Sequence, residues 1–480
     1  MLESKDTGRI QLPKPAVSWK RSLLSLVMAL LAAGLLHEIA TVPREVTYMA
    51  GIFILAALLW VTDAMPLFAT SLLVIGLQAL LLANPGGWPG LGFESGTSPH
   101  YRSILNNAAD PVLVLFFGGF ILAQAAIKEG VDRAMSALLL RPFGTEPKRV
   151  LLGIMLVTLL FGMWMSNTAT ATMMLALLTP MLAQLPPGEP FRKALVMSVA
   201  FAANISGIST PIASPPNAVA MGFLQDSGYK VPFLGWMLVA TPLAVGLTFF
   251  AWFLLLKFFP PKTAGLRINH ESGKVSRRGW GVVGVFVLTV LLWMTDQWHG
   301  LPSALVALLP AIALTVTGIF SGKDLGKLEW RILILIAGGI SLGTGMQATG
   351  LDKILVQWFH LDGGDGQILL ITMVLGTLLV GTFMSNTAAA NLFLPIGISS
   401  AIALGPDGGL HPVQIAMSIA LAASMSMALP ISTPPNALAH GRGEFSTLEM
   451  FKTAMLISGI AAMIIIMLGG PVMRFWGLLR

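Results

Sequence analysis

The sequence predicts an all-α polytopic membrane protein, and three observations carry that class. Of its 480 residues, 55% are hydrophobic and 11% charged, against roughly 25% charged in an ordinary soluble domain, and the mean hydropathy is +0.79. Apolar runs of about 20 residues, the length that crosses a bilayer as a helix, recur along the whole chain. Strand-like alternation is absent, so the spans read as helices whose backbone groups bond within each segment.

Uninterrupted spans fall near 22 to 40, 48 to 62, 66 to 83, 110 to 127, 235 to 256, 280 to 296, 301 to 320, 332 to 348 and 451 to 471. Two more blocks, 190 to 225 and 411 to 440, are long enough to span but are interrupted by Pro and Gly, which gives about 11 transmembrane helices. The first run, RSLLSLVMALLAAGLL, has the basic flank and apolar body of a signal peptide. With ten further spans behind it, it reads as a retained helix. Cysteine is absent, so no thiol or disulfide chemistry enters.

The net charge of +7 is an orientation signal and does not point to a nucleic-acid partner. With a cytoplasmic amino terminus and alternating spans, 23 of the 29 Lys and Arg residues lie on the cytoplasmic side. Only Arg44, Arg102, Lys230, Lys353, Arg474 and Arg480 fall outside, as the positive-inside rule requires. The expected location is the cell (inner) membrane, in contact with lipid.

The chain is also a repeat. MSNTA occurs at Met165 to Ala169 and again at Met384 to Ala388, and PPNAVA from Pro215 answers PPNALA from Pro434, all at an offset of 219. FGGFILAQAAIKEGVD from Phe117 answers AGGISLGTGMQATGLD from Ala337 at 220, and LLWVTD from Leu58 answers LLWMTD from Leu291 at 233. Each unit reads as two spans, a third span with an amphipathic arm, a re-entrant hairpin with SNT at its tip, a span broken at PPN, and a closing span. The expected divisions are a cytoplasmic segment 1–21, a first repeat 22–257 with its leading helix, a basic loop 258–279, and a second repeat 280–480 of opposite orientation. Inverted repeats with matching interruptions point to a secondary transporter whose site lies at the midplane; duplication retained for packing alone would not require paired polar tips and paired breaks.

Neither tip has an acid or base beside it: no Asp, Glu, Lys or Arg occurs from Val150 to Gly188 or from Gly366 to Pro406. What remains is Asn, Ser and Thr side chains, unpaired N–H and C=O groups at helix ends, and the partial charges of helix termini. An anion held there takes part of its compensation from N–H groups, and co-bound sodium, a hard cation suited to neutral oxygens, supplies the rest. A simple proline kink is the bland alternative for each break, but Asn167 to Asn217 and Asn386 to Asn436 are both 50 residues. An enzyme is not expected. Ser166 or Ser385 as a nucleophile needs a base in reach, and none of His37, His100, His270, His299, His360, His411 or His440 lies in an SNT block. No organic cofactor motif is present. Asp63 and Asp296 are repeat partners at span ends, where solvated or capping roles are expected.

With its doubled SNT and PPN motifs, the chain from about 20 to 475 resembles the divalent anion sodium symporter family, the INDY-type or solute carrier 13 dicarboxylate transporters. The resemblance implies a homodimer, a scaffold domain, an elevator-type transport domain, two sodium sites and one dicarboxylate site. Sodium would meet Ser166 and Asn167 with backbone oxygens near Gly162, Ser209 and Ala213 in one site. In the other it would meet Ser385 and Asn386 with those near Gly381, Ser432 and Pro434. Substrate carboxylates would meet Asn167, Thr168 and Ser214 from one repeat and Asn386, Thr387, Thr433 and Pro434 from the other. The family often has Gly-Thr before the first Pro-Pro-Asn; here Ala213 and Ser214 stand there, after an additional Pro211. Some members exchange anions without sodium, but no Lys or Arg in these SNT blocks can replace a sodium ion. The expected activity is sodium-coupled symport of C4 dicarboxylates such as succinate, malate or fumarate, with sulfate, exchange or an anion channel as alternatives.

Overall fold

The computed structural model describes residues 18–40, 42–266, 275–358, 365–405 and 408–479. Most of the segment 1–21, part of the basic loop 258–279, His270, His360 and Arg480 lie outside the described residues. Every described element of regular structure is helical. Nine described helices are long and apolar enough to cross a membrane. Seven of these match expected spans: Trp19–Glu38, Arg44–Thr62, Tyr101–Lys128, Phe233–Phe258, Arg277–Met294, Trp330–Thr349 and Thr447–Phe475. The other two, Gly366–Phe383 and Asn386–Leu404, are the arms of the second hairpin. Two expected spans are shorter helical segments, Leu67–Leu81 and Ser303–Val316. Pro66 and Pro302 stand at their N-caps, where a missing N–H costs the helix nothing.

Both halves run through the same order of elements. The third span Pro111–Lys128 starts on Asp110, which accepts from Val112 N at 2.7 Å, and is followed after left-handed Gly130 by the arm Val131–Leu140. Trp330–Thr349 ends at left-handed Gly350 and leads into the arm Leu351–Trp358. Glycine meets those positive φ values without a Cβ penalty. The first residues of both arms bury equivalent acids, Asp132 and Asp352. Burial pushes the Asp132 carboxyl above its usual range, and Asp352 accepts from Ser399 Oγ at 2.7 Å, tying the second arm to its hairpin.

Each third span packs on the second span of the other half, through paired glycines. A Cβ on Gly118 would overlap the Ala307 carbonyl, and one on Gly338 would overlap Ser71. The second crossing also buries Gln78, whose Nε2 donates to Ser341 O at 2.9 Å while its Oε1 accepts from Ser341 Oγ at 3.0 Å; an unpaired amide there would cost about 1–3 kcal/mol. At the C-terminal end of Pro111–Lys128, Lys128 donates to Asp324 at 2.6 Å, and that bond holds the Asp324 carboxyl far below the usual range.

Candidate functional site

The first hairpin pairs Pro147–Gly162 with Asn167–Leu182, and the second pairs Gly366–Phe383 with Asn386–Leu404. In both, the Ser of SNT is the N-cap of the returning arm. Ser166 Oγ accepts from Ala169 N at 3.3 Å, and Ser385 Oγ accepts from Ala388 N at 3.1 Å. Serine suits this position because its hydroxyl satisfies one orphan helical donor. The cap places Asn167 and Asn386 at the first helical position, half-buried, each with a buried Oδ1 that has no hydrogen-bond partner among the described residues. Thr168 is half-buried and Thr387 buried.

The breaks fall where the Pro-Pro pairs predict. Pro190–Ser206 resumes as Pro215–Asp226, and Pro412–Ser424 resumes as Pro434–His440. The unwinding frees carbonyls, and the Asn of each PPN collects them. Asn217 Nδ2 donates to Gly207 O and Thr210 O, both at 2.8 Å. Asn436 Nδ2 donates to Met427 O at 2.8 Å and Leu429 O at 2.9 Å. Each loop is also tied to its hairpin, by Thr210 Oγ1 to Met163 O at 2.7 Å and by Ser432 Oγ to Thr382 O at 2.6 Å. The breaks are joined across the repeats through Asn204 Nδ2 to Asn436 Oδ1 at 2.7 Å and Ser214 Oγ with Ser424 Oγ at 2.9 Å.

Two of the residues expected at the first site, Asn167 and Ser214, meet across Gly207. A Cβ on Gly207 would lie 2.7 Å from Asn167 Nδ2 and 3.4 Å from Ser214 Cβ, so tip and break meet there. A Cβ on Gly162 would overlap Ser206. Ser209 has a buried hydroxyl without a partner among the described residues, while its carbonyl accepts from Thr241 Oγ1 at 3.0 Å. Ala213 is buried. At the second site a Cβ on Gly381 would lie 2.6 Å from Ser426 Oγ, Thr433 Oγ1 caps Asn436 N at 3.3 Å, and Pro434 opens the helix. The Ser432 hydroxyl is already committed to Thr382 O. Thr168 and Thr387 make no side-chain hydrogen bond among the described residues.

Sequence reasoning missed Asn217 and Asn436 as tethers, having read PPN only as a break. It also missed Asn204, which lies 220 residues before Ser424 and does the matching job. Asn391 is fully buried with neither side-chain polar atom partnered among the described residues, and a Cβ on Gly339 would overlap it. The repeat gave no signal for it, because Thr172 occupies the equivalent place. Among the described residues no group of three or more His, Asp or Glu is arranged to hold a metal ion, and the polar side chains at the tips are uncharged. The arrangement can therefore offer N–H groups at two helix starts to an anion, and buried amide, hydroxyl and carbonyl oxygens to a hard monovalent cation.

A family model described as the sodium:sulfate symporter transmembrane region matches residues 17–480. The sodium-dependent dicarboxylate transporter SdcS of Staphylococcus aureus is 28% identical over 463 residues, spanning 88% of this chain and 85% of that protein. An uncharacterized transporter of Schizosaccharomyces pombe is 30% identical over 457 residues, or 90% of this chain, which spans only 50% of that relative's length. Among solved structures, the YdaH transporter of Alcanivorax borkumensis aligns with a TM-score of 0.56 at 17% identity, over 88% of this chain and 100% of that one. MtrF of Neisseria gonorrhoeae aligns with a TM-score of 0.55 at 14% identity, over 87% of this chain and 96% of that one. At such identities these two likenesses concern the fold alone.

Proposed function

The chain belongs to the sodium:sulfate symporter family of membrane transport proteins, and from that premise we propose that it is a sodium-coupled symporter of C4 dicarboxylates, such as succinate, malate or fumarate, working by an elevator mechanism. The observation that carries this reading is the pair of uncharged tips, each presenting a buried, unpartnered amide oxygen, Asn167 Oδ1 and Asn386 Oδ1. A dianion deep in a membrane needs compensating charge. The helix starts at the two tips supply about +0.5 each, and sodium ions supply the remainder.

In this reading each tip builds one sodium site: Ser166 and Asn167 with oxygens of Gly162, Ser209 and Ala213, and Ser385 and Asn386 with oxygens of Gly381, Ser432 and Pro434. One carboxylate meets Asn167, Thr168 and Ser214; the other meets Asn386, Thr387, Thr433 and Pro434. Sodium at each tip fixes the amide oxygen, which leaves the amide N–H groups for the substrate, so neither is held well alone. The hairpins, broken spans and closing helices form the moving unit. The remaining spans form the scaffold of a homodimer in the cell (inner) membrane, with the amino terminus in the cytoplasm and the two repeats 22–257 and 280–480 inverted across the bilayer. The arms lie along the interface and link scaffold to moving unit.

The test is uptake of labelled succinate into proteoliposomes under an inward sodium gradient, then with potassium or choline in its place. Uptake with sodium only is the expected result. Sodium-dependent uptake of sulfate that succinate does not compete with would keep the coupling and change the substrate. Uptake indifferent to sodium would overturn symport in favour of exchange or a channel.

A further inference from the structure

Asp63 and Asp296 occupy matching places just beyond the first spans of the two halves, yet they are used differently. Asp296 Oδ2 accepts the backbone N–H of Phe233 at 3.1 Å. Phe233 opens the first repeat's closing helix, Phe233–Phe258, whose N-cap is Pro232 with no side-chain cap bond. An orphan donor of that helix is thus satisfied from the opposite repeat. Rings reinforce the contact. Phe233 stacks on Trp293 with centroids 5.1 Å apart and planes 13° from parallel, and on Trp164 at 6.3 Å and 9°. Trp164 also meets Phe286 edge-on at 5.7 Å. Since Trp164 precedes Ser166 by two residues, one carboxylate and four rings pin the first tip and its closing helix to Arg277–Met294.

Among the described residues the other half has no such carboxylate-and-ring clamp; there Met384 and Ala388 of the second tip share a buried apolar cluster with Trp60 of Arg44–Thr62. Asp63 is exposed, sits at a left-handed φ of 48°, and makes no side-chain hydrogen bond among the described residues. Phe383, the repeat partner of Trp164, is 64% exposed. The closing helix Thr447–Phe475 carries its own capping box, Ser446 with Glu449, and needs no acceptor from elsewhere.

We propose that Asp296 is a positioning residue of the transport cycle: with Trp293 it clamps the first hairpin and closing helix against the second repeat's first span in one end state and releases them in the other. The proposal rests on the elevator reading, in which hairpins and closing helices move past the first spans. Contacts made in one state and lost in the other weight the equilibrium between them, and here the charged and stacked share of that weight falls on the first hairpin's half.

The chain has no cysteine, so Gln225→Cys and Gln297→Cys, both exposed positions, place two unique spin labels, one beyond the first break and one beside the clamp. Distances between them are measured in full-length protein in liposomes, with and without sodium plus succinate. Two distances whose ratio responds to the ligands are expected in the parent. Asp296→Ala should raise the released population about tenfold, the effect of losing one charge-assisted bond, whereas Asp296→Asn, which keeps an acceptor oxygen, should change it less than about twofold. Trp164→Leu, which keeps the carboxylate and removes the ladder, should move the ratio in the same direction and serves if Asp296→Ala does not fold. A ligand-responsive parent in which these variants only broaden the distances or lower the melting temperature overturns the clamp and leaves the elevator intact. A single distance indifferent to ligands overturns the elevator reading, and the clamp with it.

Discussion

The two break loops do the same work with different parts. In the first, the Asn217 amide bridges carbonyls three residues apart, Gly207 and Thr210; in the second, the Asn436 amide bridges carbonyls two residues apart, Met427 and Leu429. The second loop therefore holds only Ala428 where the first holds Ile208 and Ser209. Asn167 lies against Gly207, which Met427 replaces in the other loop. The Asn436 carbonyl oxygen is satisfied by Asn204, whereas that of Asn217 and the Ser209 hydroxyl are buried without partners among the described residues; the tip oxygens of Asn167 and Asn386 are alike in having none. Because buried oxygens without partners are costly, the first loop gains more from a cation than the second. A repeat can preserve a tether while redistributing the free oxygens, so the two proposed sodium sites are unequal.

The largest effect should be shared by both halves. Asn167→Ala and Asn386→Ala are each expected to lower sodium-driven uptake by about 100-fold, the loss of one charge-assisted contact at the upper end of its range; near-normal uptake in either variant would break the shared-site reading. Gly207→Ala puts a methyl 2.7 Å from Asn167 Nδ2 and should raise half-saturating sodium about tenfold, one bond's worth. Met427→Leu, a volume-conserving change, should leave it within about twofold. Ser209→Ala should raise half-saturating sodium about fivefold, again on the scale of one hydrogen bond. Equal sodium dependence in these variants would erase the asymmetry. The smallest effect is symmetric again. Thr210→Val and Ser432→Ala each remove one buried bond between loop and hairpin, so each should cost about 1–2 kcal/mol, read as similar drops in melting temperature.

Much of this fold was legible in the residues. Apolar runs and Pro-Pro pairs located the spans and breaks because proline removes donors wherever it stands, and the fixed 50-residue separation of the Asn pairs matched tip to break. The Ser166 and Ser385 caps are local chemistry, readable from a polar residue opening an apolar helix. The tethers were not legible. Thr210 and Ser432 fill one role from positions that the repeat does not align, since Thr210 is matched with Leu429 and Ser432 with Ala213. Only the chain's path in space shows that both hydroxyls reach a hairpin carbonyl. Asn391 lacks a repeat counterpart, so its burial left no trace in the pattern. The span-end position of Asp63 and Asp296 suggests a solvated or a capping role without choosing between them; Asp63 is exposed, and Asp296 accepts from a helix start in the other repeat, 63 residues away in sequence.

The measurement that tests the unequal paired sites most directly is the initial rate of succinate uptake against sodium concentration, for the parent protein and for Ser209→Ala. A curve steeper than single-site saturation, displaced to higher sodium in the variant with its steepness kept, is the predicted result. Superimposed curves would contradict a cation held by the Ser209 hydroxyl of the first loop, and a rate independent of sodium would contradict the paired sites altogether.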